Sequence, residues 1–215
     1  MPKEQLFLDE FTEFHKTQLS TTNLGNAKPL ELVGSWNGGW SLDLHSTRSL
    51  KRLNEYGWDT DRTKIGQALY DLKYQNKQKN ICFLASEAVS FLWYVGIVAH
   101  LDVLIPVPSS RERKFQPVFE LAKVIGNEIS LKVDFKTVFK KSSLEIKNTS
   151  PVHKKNILEE SIVVKSEKNV GRNVLLFDDL YSTGSTLEVI TRKLKDENRV
   201  KNVYVLTLTK TRTRR

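Results

Sequence analysis

The chain has 215 residues with 34 Lys and Arg against 25 Asp and Glu, a formal charge of +9. Its natural ligands are therefore anions, a class that includes nucleic acid, phosphorylated metabolites and membrane surfaces. An apolar content of 39% with 27% charged residues excludes wholesale disorder and allows one large domain or a domain with a small appendage. A lone cysteine, Cys82, excludes an intramolecular disulfide or a multi-thiolate zinc site and fits a reducing compartment.

The amino terminus, MPKEQLFLDEFTEF, carries acids where an export signal has a basic region followed by an apolar one, so a cytoplasmic location is expected. Leu6, Phe7, Phe11 and Phe14 make an amphipathic start, followed by the turn-rich NLGNAKP. Alternation at Trp40, Leu42 and Leu44 predicts a short strand. Ile65, Leu69 and Leu72 are spaced as a helix from about Thr63, with Asp61 as its cap. Residues 81–100 are the most apolar stretch, too polar at its ends for a membrane span, and read as buried helix or helix plus turn with Cys82 in the core.

After Asp102 short apolar runs alternate with helical segments. VLIPVP at 103–108 reads as a buried strand, 115–125 as a helix, 135–139 as a second strand, and KKSSLEIKNTSPVHKKN as a polar segment without period. NVLLFDDLYSTGSTLEVITRKLK reads as strand, two acids, a small-residue turn and a helix from about Ser185; VYVLTLT is the last strand and the chain closes on KTRTRR. This alternation predicts a parallel sheet with right-handed crossovers. Net charge is −1 over residues 1–108, +6 over 109–172 and +4 over 173–215, so the carboxyl-terminal half faces the anion.

The sharpest feature is Val174-Leu175-Leu176-Phe177-Asp178-Asp179-Leu180-Tyr181-Ser182-Thr183-Gly184-Ser185-Thr186. Ligands of an open parallel sheet bind beyond the carboxyl ends of its strands. Unpaired amides of a first helical turn, with the hydroxyls of Ser182, Thr183, Ser185 and Thr186, suit a phosphate, and Gly184 lets the backbone approach it. Two carboxylates would repel a phosphate. They suit the 2′- and 3′-hydroxyls of a ribose whose 5′-phosphate sits in the loop.

This run resembles the phosphoribosyl-pyrophosphate (PRPP) signature of the type I phosphoribosyltransferases, and the wider chain resembles their ComF-like subgroup. Ala68-Leu69-Tyr70-Asp71-Leu72-Lys73-Tyr74 resembles that subgroup's Leu-Lys-Tyr element; IPVPSSRERKFQPVFELAK resembles its Pro-Val-Pro strand end and Arg-Gly-Phe-Asn-Gln element, with Lys114 in place of glycine and one residue fewer. The four-cysteine zinc module of many members is absent, and His153-Lys154-Lys155-Asn156 stands where Arg-x-x-Asn is usual.

The resemblance implies an α/β fold of the type I phosphoribosyltransferase kind: a central, mostly parallel sheet flanked by helices, with a small amino-terminal hood. Residues 1–60 would be the hood that selects the acceptor, with Trp36 and Trp40 in the acceptor pocket, 61–209 the core, and 210–215 a basic tail. Asp178 and Asp179 would hold the ribose and, through water or PRPP, Mg²⁺, which keeps most of its ligands from substrate and solvent. Asp178, Asp179, Tyr181, Ser182, Thr183, Gly184, Ser185 and Thr186 would bind the ribose and 5-phosphate. Ser109, Ser110, Arg111 and Arg113 would bind pyrophosphate, and Lys140, Lys141, His153 and Lys154 of a mobile loop would meet its developing charge.

Two function classes stay open: an enzyme transferring 5-phosphoribose from PRPP to a small nitrogenous acceptor, or a non-catalytic nucleic-acid-binding or nucleotide-sensing protein using the basic tail. No membrane is expected as a partner, and a homodimer is the candidate assembly.

Overall fold

The apolar run at 174–177 becomes the inner part of a nine-residue strand, and the molecule is organised around it. In the computed structural model, residues 27–51, 58–109, 115–141, 158–165 and 168–212 are described. The elements in chain order are β1 (Leu30–Glu31), β2 (Gly38–Leu44), β3 (Ser46–Lys51), β4 (Trp58–Arg62), α1 (Lys64–Tyr74), α2 (Asn80–Tyr94), β5 (Val103–Pro106), α3 (Pro117–Glu128), β6 (Val138–Lys140), β7 (Ile162–Val164), β8 (Asn173–Tyr181), α4 (Ser185–Asp196) and β9 (Asn202–Lys210).

The central sheet has the order β1-β2-β9-β8-β5. The pairs β2/β9, β9/β8 and β8/β5 are parallel, and only β1 runs antiparallel, against β2. Strand alternation divides the apolar side chains between two faces. Leu175, Phe177, Leu206 and Leu208 pack with Leu69, Phe91 and Leu121 from α1, α2 and α3; Val174, Leu176, Val203 and Val205 pack with Leu187 and Ile190 of α4 and with Val138 and Ile162 of β6 and β7. Helices on both faces of a mostly parallel sheet are the architecture expected.

Several local expectations change. Helix α1 is capped by Thr63, whose hydroxyl accepts from the Gly66 amide at 3.0 Å; Asp61 lies in β4. Cys82 is exposed on α2, not in the core. The strand expected at 135–139 is the short β6, which pairs antiparallel with β7 outside the central sheet. Part of the segment assigned to a hood, residues 38–44, is a strand of the central sheet, because Trp40 and Leu42 are needed in its core. Lys210, assigned to the tail, is the last residue of β9, and Arg212 donates to the Thr47 carbonyl. No described helix is long and apolar enough to cross a membrane.

Candidate functional site

Strand β8 ends at Tyr181 and α4 begins at Ser185, so three residues turn the chain at the carboxyl edge of the sheet. Gly184 caps the helix at φ 78°, the left-handed region, and a Cβ there would lie 2.6 Å from the Tyr181 hydroxyl. Glycine is required twice over, by dihedral and by space. Ser182, Thr183 and Ser185 are exposed, and the Thr183 and Ser185 hydroxyls lie 2.9 Å apart. With Asp178, Thr186 and Leu187 these residues line a small cradle of about 80 Å³ at the amino terminus of α4, a helix of 12 residues. Amides and hydroxyls of this kind match a phosphate. Tyr181 supports the turn from below: its ring meets Trp36 edge-on at 6.5 Å, and Lys210 Nζ sits 5.2 Å from its centroid.

The two acids do not act as twins. They are consecutive in a strand, so the pleat sends them to opposite faces of the sheet. Asp178 follows Val174 and Leu176 toward the cradle; Asp179 follows Leu175 and Phe177 toward α1. There both Asp179 carboxylate oxygens meet Lys73 Nζ, at 2.8 and 3.0 Å, with the two side chains 16% and 11% exposed. Asp178 Oδ1 accepts from the Asp179 amide at 2.8 Å. Burial, and then the Asp179 charge, push the Asp178 carboxyl well above the ordinary carboxylate range.

Beyond the acids opens a cleft of about 370 Å³, lined by Lys73, Tyr74, Ser109, Lys140, Asp178, Asp179 and Thr186 among others. Ser109 and Lys140 both line this cleft, but Lys140, assigned to a mobile loop, is the last residue of β6, held there by pairing with Ile162. Lys141 does not line this cleft; its amide bonds to the Ser161 carbonyl, and its side chain is exposed. Ser110, Arg111, Arg113, His153 and Lys154 lie outside the described residues. Trp36 and Trp40, expected to line an acceptor pocket, are core residues instead. Trp36 donates from its indole to the Leu32 carbonyl at 2.6 Å, and Trp40 packs on Phe91 with 6.0 Å between centroids.

Lys73 is the residue that sequence reasoning missed. It is visible there as the middle of the Leu-Lys-Tyr element closing a helix, but its partner is 106 positions away. Among the described residues no group of three or more His, Cys, Asp or Glu gathers to hold a metal ion. Of the two acids only Asp178 is not paired with a lysine among the described residues, and it would stand at the edge of a divalent cation carried largely by a ligand's phosphate oxygens and water.

No protein-family profile matches the chain. Competence protein ComFC of Bacillus subtilis (strain 168) is 28% identical over 107 residues, which are 49% of this chain and 43% of that protein. The chain thus spans less than half the length of this curated relative. Among solved structures, a hypothetical protein from Neisseria gonorrhoeae with bound ppGpp is similar at 16% identity and a TM-score of 0.42, over 63% of this chain and 69% of that one. Adenine phosphoribosyltransferase from Saccharomyces cerevisiae matches at 12% identity and a TM-score of 0.41, over 77% of this chain and 92% of that one. Hypoxanthine phosphoribosyltransferase from Staphylococcus aureus matches at 17% identity and a TM-score of 0.39, over 62% and 64%. Over those 107 residues the chain is similar to ComFC, and its described residues build a central, mostly parallel sheet flanked by helices.

Proposed function

We propose that the chain binds PRPP with Mg²⁺ and transfers the 5-phosphoribosyl group to a nitrogen of a nucleobase-like acceptor, releasing pyrophosphate. The observation that carries this reading is the juxtaposition, at one strand end, of the Asp178 carboxyl with the glycine-opened cradle of Thr183 to Thr186. A ribose 5-phosphate has one end for each. The cradle takes the phosphate, Asp178 accepts from a ribose hydroxyl, and the larger cleft with Ser109 and Lys140 takes the diphosphate and the acceptor.

As the bond from C1 to the pyrophosphate oxygen breaks, its electron pair leaves with pyrophosphate and the ring carbon becomes cationic until the acceptor nitrogen attacks. Asp178 faces the positive charge and Lys140 the negative one, so the protein contributes mostly orientation and placed charge. Mg²⁺, when bound with PRPP, offsets the charge of the diphosphate. Positive charge developing on the ring carbon favours the ionised form of Asp178, which burial otherwise disfavours.

Asp178→Asn is the cleaner test, because substituting Asp179 would strand the Lys73 charge in a half-buried place. Calorimetry with PRPP and Mg²⁺ should show binding to the wild type and a loss of about tenfold or more in the variant, the scale of a hydrogen bond to a charged group. Equal affinities, or no binding by the wild type, would refute the reading. Pyrophosphate release measured against a panel of bases then identifies the acceptor; binding without release for any base would reduce the protein to a PRPP binder.

A further inference from the structure

The ion pair between Lys73 and Asp179 does more than fasten α1 to the sheet. The geometry points to Lys73 as a ligand-contacting residue that bridges Asp179 to the diphosphate group of the substrate. This rests on the PRPP reading of the site and adds a specific recognition element to it.

Its position is the first reason. Lys73 lines the larger cleft together with Ser109, Lys140 and Thr186, whereas the residues lining the phosphate cradle do not include it. A ligand that fills both places has its 5-phosphate in the cradle of about 80 Å³ and its other anionic end in the cleft of about 370 Å³, beside Lys73.

Donor arithmetic is the second reason. An ammonium group has three N–H donors, and the contacts at 2.8 and 3.0 Å to the two Asp179 oxygens use at most two of them. One donor remains for a phosphate oxygen without breaking the pair.

Charge is the third reason. With Asp178 and Asp179 adjacent in sequence, a diphosphate entering this cleft meets two carboxyl groups, and Lys73 and Lys140 are the described cations that line the cleft with them. An ammonium held by Asp179 and by the closing turn of α1 is already placed, so little side-chain freedom is lost when the anion arrives. Asp179 is thereby a positioning residue: it acts through Lys73, while Asp178 faces the sugar.

The test compares three probes by calorimetry on the full chain: PRPP with Mg²⁺, inorganic pyrophosphate with Mg²⁺, and ribose 5-phosphate. Lys73→Gln should weaken PRPP and pyrophosphate about 10- to 100-fold, the loss of one hydrogen bond between charged groups. It should leave ribose 5-phosphate within about threefold, and Lys73→Arg should restore most of the loss. Equal weakening of all three probes would show that Lys73 only braces the fold, and no weakening would show that it touches no ligand; either overturns the inference. If Lys73→Gln does not fold, acetylation of the wild type followed by mass spectrometry decides: pyrophosphate should protect Lys73 and ribose 5-phosphate should not, and equal labelling with both overturns it. A wild type that binds ribose 5-phosphate and PRPP while Lys73→Gln discriminates nothing refutes the Lys73 assignment alone. A wild type that binds none of the three refutes the site itself.

Discussion

Replacing Gly184 by alanine perturbs the turn at its tightest point. The residue sits at φ 78°, and an added Cβ would be 2.6 Å from the Tyr181 hydroxyl and 2.9 Å from two ring carbons. Holding a non-glycine residue in the left-handed region costs about 1–2 kcal/mol. Relieving the contact means moving a ring wedged between Trp36 and Lys210, an overpacking cost of about 1–3 kcal/mol. The sum, roughly 2–5 kcal/mol, corresponds to a fall in melting temperature of about 4–20 °C for a chain of this size. Thermal unfolding followed by circular dichroism measures it. In the Tyr181→Ala background the same glycine substitution should cost only the conformational part, about 1–2 kcal/mol. A Gly184→Ala protein melting within about 2 °C of the wild type would refute both the dihedral and the steric reasoning.

The raised Asp178 carboxyl sets a pH dependence. The native state keeps a proton there that the unfolded chain loses near the ordinary value of 3.8, so this group's contribution falls as pH rises from about 4 through its native value near 8. Asp178→Asn should flatten that slope in urea midpoints measured across this range; parallel slopes would contradict the assignment. Asp134 behaves oppositely. Burial works to raise its carboxyl, but hydrogen bonds from the Thr137 hydroxyl, the Lys136 amide, Asn169 and Lys168 outweigh it and hold the group well below the usual range, so its stabilisation is present above about pH 4 and fades as pH falls through its native value. Asp134→Ala removes the acceptor of the buried Thr137 amide and hydroxyl, while Asn169 keeps its bond to Thr137 Oγ1, and should cost about 3 kcal/mol or more in chemical denaturation; a cost under about 1 kcal/mol would show the network to be dispensable. Trp40→Ala, which opens the core beside Phe91, should cost about 3–5 kcal/mol. A variant with unchanged stability and altered acceptor preference would return Trp40 to the acceptor pocket.

The cradle at the amino terminus of α4 was legible because everything that defines it is contiguous in the chain. An apolar run, two acids, small hydroxyl residues and a glycine specify strand, turn and helix through local dihedral and hydrogen-bonding preferences, and α4 begins at Ser185 as its spacing predicts. The alternation of strands and helices likewise determined a mostly parallel sheet covered on both faces. Residue type alone did not decide burial. Trp36 and Trp40, assigned to the acceptor pocket, have rings suited to either place, and only the insertion of β2 beside β9 put them inside. Cys82 falls on the outer face of α2 in line with the exposed Ser86 and Ser90, four and eight residues on, a helical spacing that the apolar content of the stretch taken as a whole does not show. The division of labour between the acids was beyond the sequence for a similar reason. Adjacent letters suggest a matched pair, but the pleat separates them, and the cation that claims Asp179 comes from a helix 106 residues earlier, brought there by packing against the sheet. What the sequence determined by itself was the residue set of one strand end; which carboxyl faces the cradle at the head of α4 and which is held by Lys73 was decided by tertiary structure, because it depends on which face of the sheet each side chain occupies.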